Sequence, residues 1–153
     1  MSKVTALTSL YAKGLHLVPW SNRNAEQRKP LWKGWAEGDQ PSLQSILNAN
    51  TEWPLADWAI VPKGFVVIDL DIKNGNNGVD VFGKWCEDNK LSTKEVTQQC
   101  AIVKTFSGGL HIYFRYEGSK SKTVNAGGGV EFKLNNASVH VPPSEGYTWL
   151  QPL

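Results

Sequence analysis

What this 153-residue chain lacks narrows its class before any motif is read. No apolar run approaches the roughly 20 residues of a membrane-spanning helix, and the first residues carry no signal-peptide core. A cytoplasmic protein with no membrane partner is the expectation. Cysteine is scarce. Cys86 and Cys100 have neither zinc spacing nor the crowding of a disulfide scaffold, so both read as reduced and structural. Nothing resembles a zinc-binding stem or a Walker motif for ATP hydrolysis. No repeat and no linker-like tract interrupts the sequence, which points to one domain over 1–153. A chain of this length can bury roughly 70% of its unfolded surface.

Net charge is also small, at +2, but it is unevenly spread. Residues 1–35 hold six basic residues against one acid, residues 36–90 four against nine, and residues 91–153 six against four. A basic N-terminal segment beside an acidic middle suits a nucleotide or nucleic-acid surface next to a metal site. Ordinary surface charge gives the same totals. The seven tryptophans are many for this length. Most belong to core or groove lining, although Trp20, Trp32, Trp35, Trp53 and Trp58 are also candidates for base stacking.

Apolar spacing and caps predict helices over 5–14, 41–50 and 79–89. Strands are predicted over 15–19, 57–61, 64–71, 101–106, 110–116, 130–134, 138–141 and 147–150. Pro62-Lys63-Gly64 reads as a tight turn pairing 57–61 with 64–71, and Ser107-Gly108-Gly109 as the turn of a hairpin. Residues 20–34 form a long polar, basic loop, a length often tied to function. The sum is an α+β domain on a mixed or antiparallel sheet, with more strand than helix.

The chemistry centres on Phe65-Val66-Val67-Ile68-Asp69-Leu70-Asp71, a β-branched run that ends in two spaced acids. Alternation places Asp69 and Asp71 on one face, about 6–7 Å apart along the strand. Two like charges on a buried face require neutralising cations. Glu131, in Val130-Glu131-Phe132, is a third carboxylate from a strand of the same presumed sheet. Such a trio can hold two Mg²⁺ or Mn²⁺ ions roughly 4 Å apart for in-line phosphoryl transfer. A surface acid paired with Lys133 is the plainer reading of Glu131. His111 follows the glycine turn and shares its face with Tyr113 and Arg115. A lone strand histidine is usually structural. Here the glycines allow backbone amides to approach a phosphate while Ser107 and His111 donate hydrogen bonds. His16 and His140 have no such setting and receive no role.

In order along the chain these residues resemble the primase–polymerase (Prim-Pol) domain of the archaeo-eukaryotic primase superfamily, of the bifunctional plasmid and phage type. The match begins at Gly14-Leu15-His16-Leu17-Val18-Pro19 and continues through Lys29-Pro30, Gly34-Trp35 and Trp58-Ala59-Ile60-Val61-Pro62-Lys63-Gly64. The Asp-x-Asp strand, Ser107 to His111, Gly129 to Lys133, Pro142-Pro143-Ser144 and Tyr147-Thr148-Trp149 follow, so that residues 6–150 are covered. The resemblance implies an RRM-like catalytic core with a small N-terminal α/β unit. It implies a metal pair on Asp69, Asp71 and Glu131, and His111 on the phosphates of an incoming NTP or dNTP. Ser107, Gly108, Gly109 and Lys133 would assist, and Lys29 would touch nucleotide or template. Single-stranded DNA is the implied template, and any replicative helicase is expected to be a separate protein. Glu131 departs from the commoner aspartate of the family.

The expected function is therefore a template-dependent nucleotidyltransferase, a DNA primase/polymerase. Two other readings stand beside it. One is a non-catalytic module that grips single-stranded nucleic acid, nucleotide or a replication partner. The other is a different metal-dependent phosphotransferase or nuclease, which uses similar carboxylates.

Overall fold

The computed structural model describes residues 1–153, and small polar caps and glycines set the course of its backbone. In chain order the elements are α1 (Lys3–Ala12), β1 (His16–Trp20), α2 (Leu43–Glu52), β2 (Asp57–Val61), β3 (Phe65–Leu70), α3 (Gly78–Asp88) and α4 (Thr93–Thr97). There follow β4 (Ala101–Lys104), β5 (Leu110–Arg115), β6 (Val124–Gly127), β7 (Val130–Lys133), β8 (Val139–His140) and β9 (Thr148–Gln151). Ser2, Ser42 and Asn77 each accept a backbone N–H at 3.1 Å, from Thr5, Ser45 and Asp80. Each satisfies a donor that a helix start leaves open.

The strands form two sheets, a small one in order β1-β2-β8 and a large one in order β6-β7-β3-β5-β4-β9. Every pairing is antiparallel. One face of the large sheet, with Val67, Val103 and Tyr113, packs on Trp58, Ile60 and Val139 of the small sheet, and Leu7 and Ile46 of α1 and α2 join the same core. The opposite face, with Ile68, Leu70 and Ile112, is covered by Phe82 and Cys86 of α3. Strand alternation thus splits the large sheet between two cores. The antiparallel α+β class follows the sequence reading, and there is no closed barrel.

Two differences from the sequence reading are informative. The runs 57–61 and 64–71 are not a hairpin, because they lie in different sheets. Both edges of β2 are taken by β1 and β8, and both edges of β3 by β5 and β7. The chain crosses between sheets at Gly64, whose φ of +80° suits glycine. Two elements had no sequence signal. β6 is exposed throughout and lacks an apolar alternation, and α4 buries none of its residues.

Ser144, the last residue of the Pro-Pro-Ser tract, fastens the two ends of this architecture. Its buried hydroxyl accepts the Trp58 N–H at 2.7 Å and donates to the Trp58 carbonyl at 2.7 Å. The carbonyl keeps a second donor in Val141 N–H, whereas the Ser144 hydroxyl is the side chain that accepts the Trp58 N–H. Ser144→Ala therefore leaves a buried donor unpaired and is expected to cost about 2 kcal/mol. A urea denaturation midpoint equal to that of the unsubstituted protein would show that the hydroxyl does not hold β2.

Candidate active site

A single rung of the large sheet builds the site. Asp69 on β3 lies opposite His111 on β5 and opposite Glu131 on β7. Directly opposed side chains of an antiparallel pair stand about 5 Å apart on one face, so the register alone brings an imidazole and two carboxylates together. They share the face that carries Val67 and Tyr113 toward the small sheet. Asp69 Oδ1 is 3.4 Å from His111 Nε2. The two side chains are only 19% and 8% exposed, so little water intervenes.

Asp71 stands one residue beyond the end of β3. Its N–H donates to the Gly129 carbonyl at 2.8 Å, and its carbonyl accepts the Gly78 N–H at 2.7 Å. The sequence permits this three-way approach because both partners are glycines. A Cβ at Gly78 would collide with the Gly129 carbonyl, and one at Gly129 would sit 2.7 Å from the Asp71 carbonyl oxygen. The start of α3, the entry to β7 and the end of β3 are thereby locked around the second carboxylate.

The turn between β4 and β5 closes this end of the sheet. Gly108 N–H donates to the Thr105 carbonyl at 3.0 Å, and Thr105 N–H to the Gly109 carbonyl at 3.0 Å. Leu110 pairs with Leu70, so the turn passes over the end of β3, and any Cβ at Gly109 would strike the Leu70 carbonyl. Ser107 Oγ lies 3.4 Å from Thr105 Oγ1. The amides of Ser107 and Gly109 have no backbone acceptor within the chain. Ser107 is exposed, so its amide is open to an anion, whereas Gly109 is buried.

Each of the three carboxylates is turned toward a cationic or imidazole nitrogen of its own chain. Glu131 Oε2 is 3.2 Å from Lys133 Nζ, Asp71 Oδ2 is 3.6 Å from Lys73 Nζ, and Asp69 faces His111. The pairing of Glu131 with Lys133, the plainer of its two sequence readings, is thus present. No three His, Cys, Asp or Glu side chains converge as a metal-binding group in this arrangement. The donor set is nonetheless the hard-oxygen set that Mg²⁺ or Mn²⁺ favours. It sits on adjacent strands, and Lys73, whose side chain is 60% exposed, is free to leave. Burial works to raise the Asp69 carboxyl, but the His111 imidazole and the ammonium groups of Lys133 and Lys73 outweigh it and hold the group below the usual carboxylate range.

A second polar cluster adjoins His111, and sequence reasoning missed it. The Tyr147 ring lies 6.1 Å from His111 and stacks on His140 at 5.6 Å, and Trp20 meets His140 edge-on at 4.9 Å. Arg28 Nη2 donates to His140 Nε2 at 2.8 Å and to the buried Asp57 Oδ2 at 3.3 Å. Burial, joined by the charges of Arg28, His111 and Arg23, pushes His140 down to about 3. Lys29, chosen from the basic loop on sequence, is exposed, and its side chain touches none of these groups. The loop folds back on itself, with Ser21 N–H donating to the Lys29 carbonyl at 2.9 Å, and its inward arginine is Arg28. Spacing within a long loop carries no signal for that closure.

The molecule is an antiparallel α+β domain that carries acids and a histidine on one rung beside a glycine turn. Over residues 7–153 the chain matches the family model described as bifunctional DNA primase/polymerase, N-terminal, and it belongs to that family. No curated protein matches the chain. The family is of the primase/polymerase nucleotidyltransferase type.

Proposed function

We propose that this protein is a template-dependent nucleotidyltransferase that extends DNA or RNA on single-stranded DNA, in the replication of a phage or plasmid. The observation that carries this reading is the rung of His111, Asp69 and Glu131, with Asp71 and the Ser107–Gly109 turn at the same end of the sheet.

Asp69, Asp71 and Glu131 would hold Mg²⁺ or Mn²⁺, and a pair of such ions, when bound, stabilises the attacking and leaving oxygens of an in-line displacement. The chain itself supplies position and charge. Asp69 stays ionised at neutral pH because its neighbours keep its carboxyl low. Ser107, through its hydroxyl and its amide, and His111 donate to the phosphates of an NTP or dNTP. Lys73 and Lys133, once released from Asp71 and Glu131, meet the same negative charge. A 3′-hydroxyl oxygen bonds to the α-phosphorus while the bond to the departing pyrophosphate breaks. A separate helicase would open duplex template.

One observation favours a second reading, a non-catalytic nucleic-acid-binding module: every acid of the site already faces a nitrogen of its own chain. Labelled-nucleotide incorporation on single-stranded templates, with and without primer, in Mg²⁺, in Mn²⁺ and in chelator, separates the two. Template-dependent product that chelator abolishes supports the polymerase. Oligonucleotide binding with no product in any metal supports the module.

A further inference from the structure

Two apolar side chains stand exposed at the mouth of this otherwise charged site, and glycines make room for both. Phe106, immediately before Ser107, is 50% exposed, and a Cβ at Gly146 would run into its ring. Ile72, immediately after Asp71, is 40% exposed, with its Cδ1 3.1 Å from where a Cβ of Gly108 would be. The guanidinium carbon of Arg23 lies 3.2 Å above the centre of the Phe106 ring. Arg23 forms no ion pair, and its buried Nε has no partner.

A planar, weakly hydrated cation layered on a half-open aromatic ring, with an aliphatic side chain at the same end of the sheet, has the chemistry of a base-stacking surface. Nucleobases stack on aromatic rings and on guanidinium planes whatever their sequence, and an arginine without a counter-ion also attracts the adjoining phosphate. We propose that Arg23 and Phe106, with Ile72 beside them, form a platform that seats one nucleobase of the substrate at the mouth of the Asp69 site. This rests on the nucleotidyltransferase reading and adds to it a positioning surface. A plain fastening of the 21–29 loop to the β4–β5 turn is the competing explanation, and it requires no preference for a base.

The test is equilibrium binding in chelator, so that metal plays no part. The probes are a labelled thymidine 12-mer against a 12-mer of abasic residues, and dTTP against inorganic tripolyphosphate. The unsubstituted protein is expected to favour the base-bearing member of one pair by about tenfold. The oligonucleotide pair reports a base from the strand, and the dTTP pair one from the incoming nucleotide. Phe106→Leu, which keeps the site apolar, is expected to bring that preference close to one, and Phe106→Trp to restore it. Arg23→Leu serves as a second variant and should lower it in the same pair. A preference that survives Phe106→Leu and Arg23→Leu in that pair, or an unsubstituted protein that binds the probes with no preference for a base, overturns the platform while leaving the nucleotidyltransferase reading intact. An unsubstituted protein that binds none of the four probes in chelator overturns the platform, whereas the nucleotidyltransferase reading falls only if no template-dependent product forms in Mg²⁺ or Mn²⁺.

Discussion

Asp69→Asn is expected to lower nucleotide incorporation on the order of 10²–10³-fold, the loss typical when one preorganised electrostatic group is removed from a site of this kind. The size of the effect follows from the position of Asp69. It is the acid that faces other site residues on both neighbouring strands, His111 and Glu131, and the least exposed member of the trio. Asparagine keeps the shape and one acceptor oxygen but not the charge that His111, Lys133 and Lys73 face. Asp71→Asn is expected to act similarly. Glu131→Gln, on the acid with the most exposed carboxylate, should cost less. Steady-state incorporation with a primed template, beside a melting curve for each variant, checks this. Asp69→Asn with full activity and an unchanged melting temperature would remove Asp69 from the chemistry.

The second large effect concerns acid stability and runs through His140. Burial and the nearby Arg28 hold this histidine neutral in the folded protein, down to about 3. In the unfolded chain it titrates at about 6.5. Between those values the unfolded state binds the extra proton, so stability rises with pH over that window and is lost as pH falls from about 6.5 toward 3. One such group contributes a slope of about 1.4 kcal/mol per pH unit. His140→Gln is expected to flatten the acid limb of a stability curve measured by urea denaturation between pH 7 and pH 4. An acid limb of the same slope in this variant would place the linkage elsewhere. Arg28→Met tests the other half of the cluster. It leaves the Asp57 carboxylate, 3% exposed, without its cation, and should destabilise by about 3 kcal/mol at neutral pH. Adding Asp57→Asn should recover part of that loss, because the penalty belongs to the stranded charge.

The site was legible to the extent that its members sit on strongly patterned strands. A continuous β-branched run located β3, and alternation placed His111 opposite in face to Ile112 and Phe114. The glycine turn marked the β4–β5 hairpin because only local geometry was at stake. Lys29 was the nearest guess for the basic loop, whereas Arg28 is the residue that reaches Asp57 and His140. The Tyr147-Thr148-Trp149 tract and the sequence around His140 do not announce a ring cluster beside a histidine on β5. The Tyr147 ring reaches His111, and His140 stacks on Tyr147, only because the small sheet and the end of the chain fold over the large one.

By itself, then, the order of residues determined all the strands but β6, which side chains share a face, and the membership of the chain in the primase/polymerase family. These are matters of local backbone preference and side-chain alternation, which act over a few residues. Tertiary structure alone decided that β2 and β3 part into different sheets and that Asp69 falls on the same rung as His111 and Glu131. Strand partnership depends on which edges and faces remain open once every other element has docked. No local pattern carries that information.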